Sequence, residues 1–183
     1  MTDIQNLTRA YAFAAEQHAD QRRKGDRGEP YINHLCEVAD RVAQATGGAD
    51  INLVIAAVLH DVVEDTPVGN DDVAALFGDD VAALVAEVSD DKSLKKADRK
   101  IRQIETAAGK SRRAKLIKLA DKTSNLRALV DSPPADWDIA RRREYLNWAR
   151  AVVDQLRGAN GDLERIFDET AMALERTLLE PGD

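Results

Sequence analysis

Apolar residues recur along this chain at steps of three and four, and no run alternates at steps of two for long enough to propose a strand. That periodicity marks amphipathic helices, and it restricts the chain to helices packed on helices. Ile4, Leu7, Tyr11 and Ala14 set the pattern at once, in a first helix expected to run to about Asp20. A charged, glycine-bearing stretch from Arg22 to Pro30 reads as a loop. The second helix begins near Tyr31 and stops at Gly47–Gly48. Asp50 is placed to cap a third, whose run VIAAVL is apolar on almost every side and leads to His60. Such a helix should be central and buried, and Pro67 and Gly69 end it. Short helices are expected over Asp71–Phe77 and Asp80–Val88, then a charged stretch, Ser89–Arg99, before helix resumes through Ile104. Ser111 opens the helix that carries Leu116, Leu119, Leu126 and Leu129, and Pro133 and Pro134 close it. Two amphipathic helices, about Ala135–Arg157 and Asp162–Leu179, complete an all-α fold.

At 183 residues the chain fits one domain, 1–183, and a hydrophobic share of 44% is enough for one substantial core. A formal net charge of −7 argues against a general nucleic-acid binder, although a local basic pocket for one small anion remains compatible with it. Cys36 is the only cysteine, so neither an intrachain disulfide nor a thiolate zinc cluster is available. Beside Val38 and Ala39 on an apolar helix face, it reads as a small buried hydrophobe. The start, MTDIQNLTRA, lacks the basic and apolar regions of a signal peptide, and no window approaches the roughly 20 apolar residues of a membrane span. A soluble, cytoplasmic protein without membrane partners is expected, of a self-association state that the sequence leaves open.

The chemistry is concentrated around the three histidines. His34 lies just inside the second helix, and His60, followed by Asp61, ends the third. On one continuous helix His60, Asp61, Glu64 and Asp65 would share an arc of roughly 140°. Four ionisable groups on the most hydrophobic helix are unfavourable unless something neutralises them, since an unpaired buried carboxylate costs several kcal/mol, to order of magnitude. In KLIKLADKTSNL, Asp121 again follows an apolar face. Two imidazoles and two carboxylates suit one first-row divalent ion, with His34, His60, Asp61 and Asp121 as ligands and open positions for water. Mn²⁺ or Fe²⁺ fits this set better than Ca²⁺, and Zn²⁺ stays possible. Only His18 is spare for a second ion; it is either a satisfied core histidine or a supporting group. Glu64 and Asp65, one turn on, are placed to orient water, accept its proton or protonate a leaving oxygen.

Five segments then line up in order: RRKGDRGEPYINH, AAVLHDVVEDT, VSDDKSL, AKLIKLADKTSNLRAL and REYLNWARAVV. Together they resemble the RelA/SpoT-homologue hydrolase domains, in particular the stand-alone small alarmone hydrolases that include metazoan SpoT homologues. The resemblance runs from Ala10 to about Val153. It implies a helical HD-domain bundle and a Mn²⁺-dependent reaction that converts the nucleotide (p)ppGpp to GDP or GTP by releasing the 3′ pyrophosphate. Residue by residue it supports the four ligands, matches its E-D motif to Glu64 and Asp65, and puts Arg23 and Lys24 beside guanosine and phosphates. Asn125 and Tyr145 match substrate-side positions. Within the cluster Lys92, Lys95, Lys96 and Arg99, the choice is between a phosphate grip and a solvated face; Lys96 and Arg99 are carried as substrate contacts. Trp148 reads as core. Leu35 stands where the family commonly has proline, and Thr123 and Ser124 replace a bulkier pair, a change that bears on how the base or ribose is held. The rival readings are a phosphatase for another nucleotide, such as NADPH or a deoxynucleotide, and a catalytically silent nucleotide-binding HD domain.

Overall fold

A computed structural model describes residues 2–179. Ten helices follow one another among them: α1 (Asp3–Gln17), α2 (Ile32–Thr46), α3 (Ile51–Leu59), α4 (Val62–Asp65), α5 (Asn70–Phe77), α6 (Asp79–Val88), α7 (Lys96–Ala107), α8 (Arg112–Asp131), α9 (Ile139–Asp154) and α10 (Gly161–Thr177). The only β pairing among the described residues is an isolated bridge between Arg22 and Pro30. No helix there is long and apolar enough to cross a membrane.

The helix starts follow their capping residues. Asp50 accepts from the Leu53 amide at 3.0 Å, Ser111 from Ala114 at 3.1 Å, Asp138 from Arg141 at 2.7 Å and Asn160 from Leu163 at 3.0 Å, each satisfying an otherwise orphan N–H. The Asp138 cap explains why α9 starts at Ile139 and not near Ala135: the segment after Pro134 is a turn, closed by the Trp137 amide on the Pro134 carbonyl. Gly47 ends α2 in the left-handed region, at φ 61°. α1 stops at Gln17, three residues before Asp20. α7 begins at Lys96, inside the charged stretch, with its charges solvated and only Ala107 of its residues fully buried.

α3 and α8 form the centre. Seven of the nine α3 residues are buried, as the run VIAAVL requires. α8 is buried almost all round, with α2, α6, α9 and α10 packed against it. Five polar residues, Lys118, Asp121, Lys122, Thr123 and Ser124, are therefore carried into the interior, and they bear on the site described below. The third helix does not continue past His60. His60 and Asp61 form a turn between α3 and α4, both with right-handed helical dihedrals, so the chain bends without glycine or proline. Cys36 also differs from expectation: it is exposed. The buried arc of α2 runs through Leu35, Val38, Ala39 and Val42, and Cys36, 100° round from Leu35, falls outside it.

The Arg22–Pro30 loop is fixed at both ends. The Arg23 amide donates to the Glu29 carbonyl at 2.8 Å, and the Tyr31 amide to the Gln21 carbonyl at 3.1 Å. At its tip Gly25 lies so close to the end of α8 that a Cβ there would overlap the Ser132 carbonyl oxygen. Only glycine permits that approach, and the Arg27 amide adds a hydrogen bond to Ser132 Oγ at 3.1 Å.

Candidate active site

α2, the α3–α4 turn and the middle of α8 meet at one point. There His34, His60 and Asp121, all buried, offer ligand atoms that lie within 4.8 Å of one another. Asp61 joins them: its Oδ2 is 3.2 Å from His60 Nε2 and 3.6 Å from His34 Nε2, while Asp121 Oδ1 is 3.4 Å and 4.0 Å from Nε2 of His34 and His60. The four residues named from the sequence are thus brought together, Asp61 because the turn after α3 aims it back at the imidazoles.

Second contacts orient each of these groups. His60 Nδ1 lies 2.8 Å from the Ala57 carbonyl, an acceptor only, so Nδ1 carries the hydrogen. Tyr31 donates its hydroxyl to Asp61 Oδ2 at 2.6 Å. Asp121 accepts from Lys122 Nζ at 3.0 Å and from Asn125 Nδ2 at 2.6 Å. Burial alone would raise both aspartates. Positive charge outweighs it: that of the His60 and His34 rings in their protonated form at Asp61, and at Asp121 first that of the Lys122 ammonium, so both carboxyls are held well below the ordinary range, and a cation can take the place of the ring protons. The Nε2 atoms of His34 and His60 are buried with no hydrogen-bond partner. Buried polar nitrogens left bare within one coordination sphere of two ionised carboxylates fit a divalent cation, and a mixed imidazole–carboxylate set is what such an ion takes.

Glu64 and Asp65 lie on α4, which begins directly after Asp61. Glu64 Oε2 accepts from the Asp90 amide at 3.1 Å, and burial, together with the charges of Asp90 and Asp61, raises its pKa. Asp65 Oδ1 accepts from Lys92 Nζ at 2.7 Å, so Lys92 is paired with an acid. His18 is buried and stacked on Tyr31, and its Nε2, like those of His34 and His60, has no hydrogen-bond partner; it is not among the three residues whose ligand atoms converge. Its Nδ1 lies 2.8 Å from Gln21 Oε1, and Gln21 Nε2 donates to the Asp65 carbonyl at 2.8 Å, so His18 braces the site at one remove.

A cleft of about 610 Å³ reaches the cluster through Tyr31 and Asn125, which hydrogen-bond to Asp61 and Asp121, although none of the four clustered residues lines it; His34 lines a second cleft, of about 530 Å³, together with Glu37. Arg22, Arg23, Lys24, Lys96, Lys100 and Arg141 supply six cations to the lining of the larger cleft, against one acid, Glu144. Tyr31, Trp137 and Tyr145 give it aromatic surface, and Asn125 faces it from α8. Arg23 ties loop to helix, donating to Asn125 Oδ1 at 3.2 Å and to the Ser124 carbonyl at 3.4 Å. Tyr145 packs between Trp137 and Trp148, with ring centroids 5.7 and 5.2 Å away, and burial pushes its hydroxyl up to about 12. Trp148 has one indole face toward Lys122, 4.6 Å from the ring centre. Of the other sequence candidates, Lys96 lines the cleft, Lys95 is exposed at the start of α7, and Arg99 is absent from the lining and reaches the Leu94 carbonyl instead. Lys100, Arg141 and Trp137 had no signal in the sequence beyond an amphipathic helix face. Tyr31 and Lys122 were readable only as neighbours of a motif.

The fold and the paired histidine–aspartate centre define a class, and the chain belongs to it: the HD domain family, whose profile matches residues 10–147. Among its relatives, the guanosine-3′,5′-bis(diphosphate) 3′-pyrophosphohydrolase MESH1 of Drosophila melanogaster is 51% identical over 157 residues, covering 86% of this chain and 88% of that protein. The Homo sapiens protein of the same name is 47% identical, covering 89% and 91%. A solved structure described as a metazoan orthologue of SpoT that hydrolyzes ppGpp and plays a role in starvation responses superposes with a TM-score of 0.89 at 48% identity, over 95% of this chain and 97% of that one.

Proposed function

We propose that the protein is a metal-dependent guanosine-3′,5′-bis(diphosphate) 3′-pyrophosphohydrolase, converting ppGpp or pppGpp to GDP or GTP and pyrophosphate. The observation that carries this reading is the junction of two surfaces: a buried two-histidine, two-aspartate cluster, and a cleft with six cations and three aromatic rings. A purine nucleotide with phosphate on two ribose positions needs both. Its base stacks on aromatic faces, its phosphates are met by guanidinium and ammonium groups, and its scissile phosphate lies toward the carboxylates. Relatives of this name at 47–51% identity support the same substrate.

His34, His60, Asp61 and Asp121 would hold one divalent ion, for which Mn²⁺ is our reading on the ligand set and the family resemblance. The chemistry supplied by such an ion is Lewis acidity, which stabilises charge on phosphoryl oxygens and makes water a competent nucleophile near neutral pH. Glu64, its pKa raised, accepts the proton of the attacking water as the oxygen forms a bond to the 3′-linked phosphorus. The bond from that phosphorus to the ribose 3′-oxygen breaks, and Glu64 returns the proton to the departing oxygen. Asp65, paired with Lys92, orients the water. Arg23 and Lys24 hold the guanosine side together with Asn125 and Tyr145, and Lys96 meets phosphate. Our reading is one unit, residues 1–183, acting in the cytoplasm without nucleic acid as partner; a single core cluster from Ala10 to Leu178 among the described residues supports the single unit, and the formal net charge of −7 speaks against nucleic acid.

The test is a panel of ppGpp, NADPH and nucleoside monophosphates at equal concentration with Mn²⁺, with products identified. Turnover of ppGpp to GDP and pyrophosphate is expected. An untouched ppGpp alongside rapid turnover of another member overturns the substrate, and tight ppGpp binding without turnover makes the chain a silent binder. Asp121→Ala should remove metal and turnover together.

A further inference from the structure

The two histidines of the cluster are held from behind in different ways. His60 uses a backbone carbonyl, that of Ala57. His34 has none: its Nδ1 meets Ser124 Oγ at 2.9 Å, and Ser124 Oγ donates onward to Glu37 Oε2 at 2.6 Å. Glu37 Oε1 takes a second hydrogen bond from Arg41 at 2.8 Å. Burial tends to raise the Glu37 carboxyl, but the hydrogen bonds from Ser124 and Arg41 outweigh it and hold the group below its ordinary value. With 31% of its side-chain surface exposed, Glu37 is also hydrated enough to stay ionised. An ionised carboxylate only accepts, and a serine hydroxyl has one hydrogen to give. That hydrogen goes to Glu37, so the Ser124 oxygen accepts from His34 Nδ1–H. The tautomer follows: the bare lone pair of His34 is on Nε2, facing Asp61 and Asp121.

We propose that Glu37, acting through Ser124, is the positioning residue that sets the tautomer and aim of His34 toward the metal; this rests on the metal-centre reading above. The relay joins α2 to α8 across sequence separations of 87 and 90 residues. Ser124 is fully buried and Glu37 is not, which separates space-filling at one residue from charge at the other.

The measurement is Mn²⁺ affinity of the metal-free full-length protein, read from the electron paramagnetic resonance signal of free Mn²⁺, with urea unfolding run in parallel. Ser124→Ala breaks the relay outright and is expected to weaken Mn²⁺ binding by roughly 10- to 100-fold, the usual effect of losing a group that orients a ligand histidine. Glu37→Gln keeps an oxygen that can accept from Ser124 but removes the charge, so a smaller loss in the same direction is expected. Unchanged Mn²⁺ affinity in both variants overturns the proposal even if their stability drops, since a purely structural role would lower stability alone. Should Ser124→Ala not fold, parent-like Mn²⁺ binding by Glu37→Gln overturns it by itself. A parent protein that binds no Mn²⁺ is a different result and defeats the metal centre, not the relay.

Discussion

A carboxylate inside a helical core signals its function by being out of place, and that is why the central residues of this site could be read from sequence. His60 and Asp61 follow VIAAVL, and Asp121 follows KLIKLA, so each interrupts a face where an aliphatic side chain would bury without penalty. The residues that orient them carry no such mark. Tyr31, Glu37 and Ser124 are ordinary at their positions until the fold brings α2 against α8. Cys36 was misread for a related reason: one step of 100° separates it from the buried arc, and local composition does not resolve one step. Glu64 lies between the two kinds, legible beside a motif, its environment visible only in the fold. Glu64→Gln should lower kcat by about 100- to 10,000-fold, the range for removing a positioned acid–base group, while divalent-metal content by metal analysis stays at the parent level. Loss of the metal with the activity would instead make Glu64 part of the cluster.

Among the elements, those with a strong cap or a strong period were readable to within a residue or two, as at Asp50, Ser111 and Gly47. The break between α3 and α4 was not, because every residue from Leu59 to Val62 tolerates helix and neither dihedral of the turn leaves the right-handed region. Tertiary demand makes that bend: it turns Asp61 to meet His34 and His60. Composition marks Arg22–Pro30 as a loop, but its seat on the end of α8 depends on Gly25 at Ser132, a contact between residues far apart in sequence. Gly25→Ala cannot keep that seat. Arg23 and Lys24 should be displaced from the cleft, and KM for ppGpp should rise by about 10-fold or more, in line with roughly 1.5–3 kcal/mol for a charged hydrogen bond lost, with divalent-metal affinity unaltered. Equal KM values would mean that the loop does not touch substrate.

For the molecule as a whole, charge is divided between two tasks. The chain carries a formal net charge of −7, yet its cleft presents six cations. Raising ionic strength from low to physiological values should therefore lower kcat/KM for ppGpp more than it lowers kcat, since screening acts on encounter and phosphate contact. A flat response would remove the basic cleft from substrate capture. Elsewhere charge serves stability. Arg113, near the start of α8, bridges Asp80 of α6 and Asp50, the cap of α3, at 2.7 and 2.8 Å. The hydrogen bond from Arg113, with one from Asn52, lowers Asp80 to about 2. A depressed aspartate contributes stability above its unfolded pKa of about 4, and that contribution is lost as pH falls through the folded value. Asp80→Asn should thus be less stable than the parent near neutrality, by about 0.2–1 kcal/mol for so exposed a pair. In urea titrations the two curves should converge as pH is taken from about 4 towards 2; a gap that persists at the acid end would assign the loss to packing.

The seat of Gly25 on Ser132 reaches further than one loop. It ties one wall of the cleft to the end of the helix that bears Asp121, so the loop cannot leave its place without giving up that approach and the Arg27 hydrogen bond to Ser132. Two highly anionic products leaving this wall give up guanidinium and ammonium contacts for water and counterions.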